Sequence, residues 1–88
     1  MYELILNDGT RLPALFCSAR YGVLTAGVES DLSFPAFVQL FADSAKTGVI
    51  TFVYGEMRDV FEDYTILFMV NGVNPGEYIL SLKKEESR

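Results

Sequence analysis

The sequence predicts a mainly antiparallel β domain of the α+β class, with about six strands and one short helix in the order β-β-β-α-β-β-β. Three observations carry this. Runs rich in β-branched and aromatic residues recur along the chain, short turn signals separate most of them, and the hydrophobic period changes once, between Ser33 and Asp43. At 88 residues the chain is one domain, spanning 1–88, because two independent cores need more material. Half of the residues are hydrophobic, and seven Phe and five Tyr supply apolar surface for that core.

Tyr2 to Leu6 is a short strand pattern, and Asn7-Asp8-Gly9-Thr10 follows with the Asp-Gly pair of a tight hairpin. Arg11 to Ala19 returns as a second strand. Its Pro13 has no N–H for a ladder, so that strand is expected at an edge or beside a bulge. Tyr21-Gly22 turns the chain, and Val23 to Glu29 reads as a third strand weakened by Ala26 and Gly27.

Ser33 is a good N-cap, Pro35 suits a first helical turn, and Leu32 is placed to pack on Phe37 as a staple. A helix over 34–43 follows. Its Phe34, Phe37, Val38 and Phe41 fall at i, i+3, i+4 and i+7, one stripe that is expected to pack in the core.

Val49 to Tyr54 is a strand expected at the centre of the sheet, Gly55-Glu56-Met57 is a turn, and Arg58 to Val70 is a long or bent strand. Tyr64 to Val70 is apolar on both faces and is expected to be covered on both. Asn71 to Gly76 is a loop, Tyr78 to Leu82 a last strand, and Lys83 to Arg88 a charged, frayed tail. Strands apolar on both faces bury better in a rolled sheet or small, partly open barrel than in a flat sheet.

Composition narrows the chemistry. There is no histidine, which removes Ser-His and Cys-His pairs and the commonest metal ligand. Cys17 is the only cysteine and lies in the apolar run Leu15-Phe16-Cys17, so it reads as a buried, inert thiol without an intrachain disulfide partner. Gly72-Val73-Asn74-Pro75-Gly76 lacks the Lys-Ser or Lys-Thr ending of a phosphate loop. The expectation is a non-enzymatic protein with no cofactor, no metal and no catalytic residue.

The formal charge is −5, the wrong sign for neutralising phosphates, so direct nucleic-acid binding is not expected. The longest nearly unbroken apolar run, Tyr64 to Val70, is far short of the roughly 20 residues that span a bilayer. No basic n-region followed by an apolar stretch opens the chain, and the prediction is a cytoplasmic protein without membrane association.

Glu56, Asp59, Glu62 and Asp63 form the densest polar cluster, with only Arg58 to offset them. The spacing is not that of a calcium loop. The cluster reads first as a solvated face and second as a surface that steers toward a basic groove on a protein partner.

The runs Leu4-Ile5-Leu6-Asn7-Asp8-Gly9-Thr10 and Asp59-Val60-Phe61-Glu62-Asp63-Tyr64-Thr65, with the alternating strand Tyr78 to Leu82, resemble small uncharacterised proteins of prophages and mobile elements in Gram-positive bacteria. The matches cover under a third of the chain. The resemblance implies a phage or mobile-element origin, in the cytoplasm of a bacterial host, without fixing a role.

Small phage proteins without enzyme motifs commonly act by occupying a surface. The leading expectation is therefore an inhibitor of a host or defence protein, anti-CRISPR-like, that uses Glu56, Asp59, Glu62 and Asp63 against a basic surface. One alternative is a structural, tail-region phage protein forming a homo- or hetero-oligomer. A further alternative is a nucleotide-sequestering oligomer with Arg20, Lys46 or Arg58 around phosphates.

Overall fold

A computed structural model describes residues 2–43 and 46–85. Its elements are β1 (Tyr2–Ile5), β2 (Arg11–Arg20), β3 (Val23–Glu29), α1 (Phe34–Leu40), β4 (Gly48–Tyr54), β5 (Met57–Asn71) and β6 (Glu77–Lys84). The predicted element order is observed, and every strand pairing is antiparallel. The rolled or partly open sheet is in fact a closed barrel, in the order β1-β2-β3-β6-β5-β4.

Closure depends on β5. This strand pairs with β4 from Met57 to Tyr64 and with β6 from Tyr64 to Asn71, so one bent strand belongs to both halves of the wall. Asp63 marks the bend. Its φ is +63°, a conformation that the short polar side chain of an Asp tolerates, and its carbonyl accepts from the N–H of Glu85.

The first hairpin forms as expected. The Leu6 N–H donates to the Thr10 carbonyl, the Gly9 N–H to the Leu6 carbonyl, and Gly9 takes a φ of +92°. The Thr10 N–H donates to Asp8 Oδ1, and Lys46 donates to the other Asp8 oxygen and to Thr10 Oγ1, tying the turn to the segment before β4.

The barrel interior holds Leu4 and Leu6, Leu12, the β3 series Leu24, Ala26 and Val28, Ile50 and Phe52, Tyr64, and the β6 series Tyr78, Leu80 and Leu82. Alternation along β3 and β6 is the period-2 signature of strands with one buried face. Each of the large apolar side chains fully removed from water contributes about 1.5–3 kcal/mol.

The helix is shorter than the 34–43 expected, ending at Leu40, because the Phe41 N–H bonds back to Val38 and Gln39 carbonyls and the chain turns there. Ser44 and Ala45, in the connection to β4, lie outside the described residues. Ser33 caps the helix, its Oγ accepting from the Ala36 N–H.

Phe37 and Phe41 are buried as expected, Phe34 is half-buried, and Val38 is exposed. A seven-residue helix shows one narrow face, and Phe37 fills it by stacking on Tyr78 at 4.5 Å between ring centroids. Leu32 is exposed and contributes its carbonyl, which accepts from the Tyr78 hydroxyl.

Strand boundaries differ by one or two residues from the reading of the sequence in every strand but β3. Leu6 leaves β1 for the turn while staying buried. Lys83 and Lys84, read as tail, are in β6, opposite Thr65 and Tyr64 of β5. Residues 86–88 of that tail lie outside the described residues.

Tyr64 to Val70 is also not covered on both faces: Leu67, Phe68 and Val70 are exposed. A β-bulge between Ile66 and Phe68 throws Leu67 out of the alternation, and among the described residues the outer side of this strand is left about half open to water. Pro13 sits where β2 pairs with β1 but not yet with β3, one residue before the irregularity at Ala14 to Phe16, which accommodates its missing donor.

Candidate binding groove at the barrel mouth

Among the described residues β1 begins at Tyr2, opposite Ala14 of β2 and Tyr54 of β4. Past Ala14, β2 runs on to Arg20 paired with β3. Between this part of β2 and the β4–β5 hairpin the described residues line a groove of about 840 Å³.

Register decides what faces it. Phe52 and Ile50 point into the barrel, so their cross-strand partners Asp59 and Phe61 face the same side, as do Tyr2 and Tyr54 one step toward the mouth. From β2, Cys17 lies opposite buried Ala26 and Ala19 opposite buried Leu24, which turns both inward. The groove is thus lined by aromatic rings, a thiol and one carboxylate.

The rings form a connected set, with Tyr2 and Phe52 centroids 5.7 Å apart, Tyr2 and Tyr54 6.4 Å, and Phe52 and Tyr54 5.3 Å. The Tyr54 hydroxyl donates to Asp59 Oδ2 at 3.3 Å. The negative charge of Asp59, with smaller contributions from burial and from that hydrogen bond, raises the Tyr54 pKa above its ordinary value. Burial, helped by Asp59, pushes the Cys17 thiol up to about 11.

These directions matter chemically. A thiol held protonated is a poor nucleophile, and a phenol held protonated is a hydrogen-bond donor rather than a base. The arrangement suits holding a ligand by shape and by the charge of Asp59. Among the described residues no set of three or more acidic or thiol side chains is placed to share a metal ion.

The four predicted acidic residues are dispersed. Asp59 enters the groove, Glu56 sits in the β4–β5 turn beside Tyr54, and Glu62 and Asp63 lie at the bend of β5. All four are exposed. Tyr2, Tyr54 and Cys17 carry no site signal in the sequence, because their convergence depends on the barrel closing.

Lys46, one of the three basic residues considered around phosphates, is committed to Asp8 and Thr10. Among the described residues no helix is long and apolar enough to cross a membrane. Comparison with protein-family models, curated proteins and solved structures gave no match.

Proposed function

We propose that this small closed barrel is a non-enzymatic binding module that engages a protein partner at its mouth. The observation that carries the reading is the groove itself, concave and aromatic, with one carboxylate and a thiol that is held protonated. Its finer form, an inhibitor that occupies a basic surface of a host or defence protein, anti-CRISPR-like, draws on the net charge of −5 and on the resemblance to phage and mobile-element proteins. Asp59, with Glu56 in the adjoining turn, is then the working part of the acidic segment.

The test is capture of partners from a bacterial lysate at low and raised salt, with Y54A, D59N and the pair E62Q/D63N beside the unaltered chain. The expected result is a salt-sensitive protein held by the unaltered chain and by E62Q/D63N, and held at least about tenfold more weakly by Y54A and D59N. Equal capture by all four would overturn the reading.

A second reading, a structural component of a larger phage assembly, is favoured by the outer face of the sheet. Phe16, Gly27, Ile79 and Val70 lie in one cross-strand row over β2, β3, β6 and β5, with Phe68 in the next row. Phe16, Phe68 and Val70 are exposed there. Salt-independent self-association in sedimentation experiments would favour it, and a monomer at all concentrations would count against it.

A further inference from the structure

The outer face centred on β3 and β6 is ordered by charge along its strands. Leu24, Ala26 and Val28 of β3 and Leu80 and Leu82 of β6 are buried in the barrel, so Val23, Thr25, Gly27 and Glu29 face outward, opposite Lys83, Ser81, Ile79 and Glu77. With the flanking strands these make cross-strand rows. At one end is Arg20-Val23-Lys83-Thr65, whose two cations are exposed. The middle rows carry Phe68, then Phe16, Ile79 and Val70. At the other end Glu29 faces Glu77, with Asp31 lining the same hollow.

Six residues of β6 separate Lys83 from Glu77, so the cationic and anionic ends stand roughly 20 Å apart with the apolar rows between them. Glu85 also lines the basic end, beside Lys83 and Lys84. Neither Arg20 nor Lys83 has an ion-pair partner among the described residues. The Glu77 carboxylate is oriented by Asn74, whose backbone N–H and side-chain amide both donate to Oε1. The centre of the face is smooth, since the Phe16 ring lies over Gly27 and Ser81, although in an outward row, is only 2% exposed.

Charge fixes how two such faces can meet. A twofold axis parallel to the strands would lay each row on its own copy, cation on cation. A twofold axis across the strands, in the plane between the two sheets, lays Lys83 over Glu77 of the second copy and apolar rows over apolar rows, at the roughly 10 Å spacing of stacked sheets.

We propose that this face takes a second copy of the chain as a closed twofold dimer, β6 over β6, with the strands of the facing sheets antiparallel. The dimer rests on the use of the outer face in the second reading above, and goes beyond it in closing at two copies. Apolar contact holds the pair. The charged ends set its direction, because like charges brought together cost more than exposed opposite charges gain.

The test is sedimentation equilibrium of the full chain from about 5 to 500 µM, a range suited to a small interface. K83E, E77K and K83E/E77K are compared with the unaltered chain, circular dichroism reporting the fold of each. The unaltered chain is expected to reach a dimer and stop. K83E and E77K each place like charges together twice and weaken it at least about tenfold, whereas K83E/E77K exchanges the ends and returns to within about threefold. E29K and K83E/E29K repeat the comparison without disturbing the Asn74 contact. Concentration-dependent NMR shifts are expected at Thr25, Ile79 and Phe68 and not at Asp59.

Growth beyond a dimer, a dimer that K83E leaves unchanged, or shifts at Asp59 in place of the outer rows would each overturn the twofold packing while leaving self-association standing. A monomer at every concentration removes the dimer and the second reading together.

Discussion

The ring of Phe16 occupies the space that a side chain at Gly27 would need: a Cβ on Gly27 would stand 2.4 Å from Phe16 Cε1 and 2.8 Å from Cδ1. The two residues are cross-strand partners on the outer face of the sheet, and Gly27 is buried because that ring covers it. G27A must push the ring off the sheet, and we expect it to cost about 1 kcal/mol in urea unfolding. In an F16A background the nearest obstructing atoms are gone, and the same substitution should stabilise by about 0.5–1 kcal/mol, since alanine loses less conformational freedom on folding. The check is the sign reversal between backgrounds; destabilisation by G27A in both would show that some other contact fills the site.

Tyr54 and Asp59 define a second test, at the mouth. Because the carboxylate is the largest cause of the raised Tyr54 pKa, D59N should bring the Tyr54 titration down toward an ordinary phenol, read from its ring carbon signal in NMR. The Cys17 thiol, held up mainly by burial, should resist alkylation at pH 8 and react only as the pH approaches about 11; D59N should move that onset by less than it moves Tyr54. Rapid alkylation at pH 8 in the folded protein would contradict the inward placement of Cys17.

How much of this could be read from the residues follows from the range of each signal. The Asp8-Gly9 turn, the Ser33 cap and the β-rich runs are local, decided within a few residues, and the element order follows from them. Barrel closure is not local. It depends on β5 bending at Asp63 and changing partner, and acidic residues in the middle of a strand give no hint of a positive φ. The apolar run ending at Val70 suggested a strand covered on both sides, but hydropathy does not separate a covered face from one left open, as Phe68 is. Of the groove, only Asp59 is legible, through its charge; Tyr2, Cys17 and Tyr54 meet there through the closure of the barrel and its register.

The Asp8–Lys46 pair makes a prediction for acid stability. Hydrogen bonds from Lys46 and Thr10 lower the Asp8 pKa from 3.8 to about 2 in the folded chain. A carboxylate with a depressed folded pKa stabilises the protein fully above its unfolded pKa, and that contribution is lost as pH falls through the folded one. The unaltered chain should therefore lose stability between about pH 4 and pH 2, and D8N should be less stable at pH 7 with a flatter profile across that window. Thermal unfolding followed at half-unit intervals of pH tests this. Parallel profiles for the two proteins would mean that the pair makes no net contribution.

The floor of the core gives the last test, which separates packing from hydrogen bonding at Tyr78. Phe37 is fully buried, stacks on Tyr78 and meets Phe41 edge-on at 5.3 Å, while the Tyr78 hydroxyl donates to the Leu32 carbonyl just before the helix. F37A removes a whole ring from this stack and should cost about 3–5 kcal/mol, enough to unfold much of a small domain's population. Y78F keeps the ring and loses only the donor, so it should cost about 1 kcal/mol and loosen the entry to α1 without touching the barrel. Hydrogen exchange distinguishes the two: Y78F should speed exchange only near Ser33 to Phe37, whereas F37A should speed it through β3 and β6 as well. If Y78F proved as damaging as F37A, the hydrogen bond rather than the stacked rings would be what anchors the helix to the barrel.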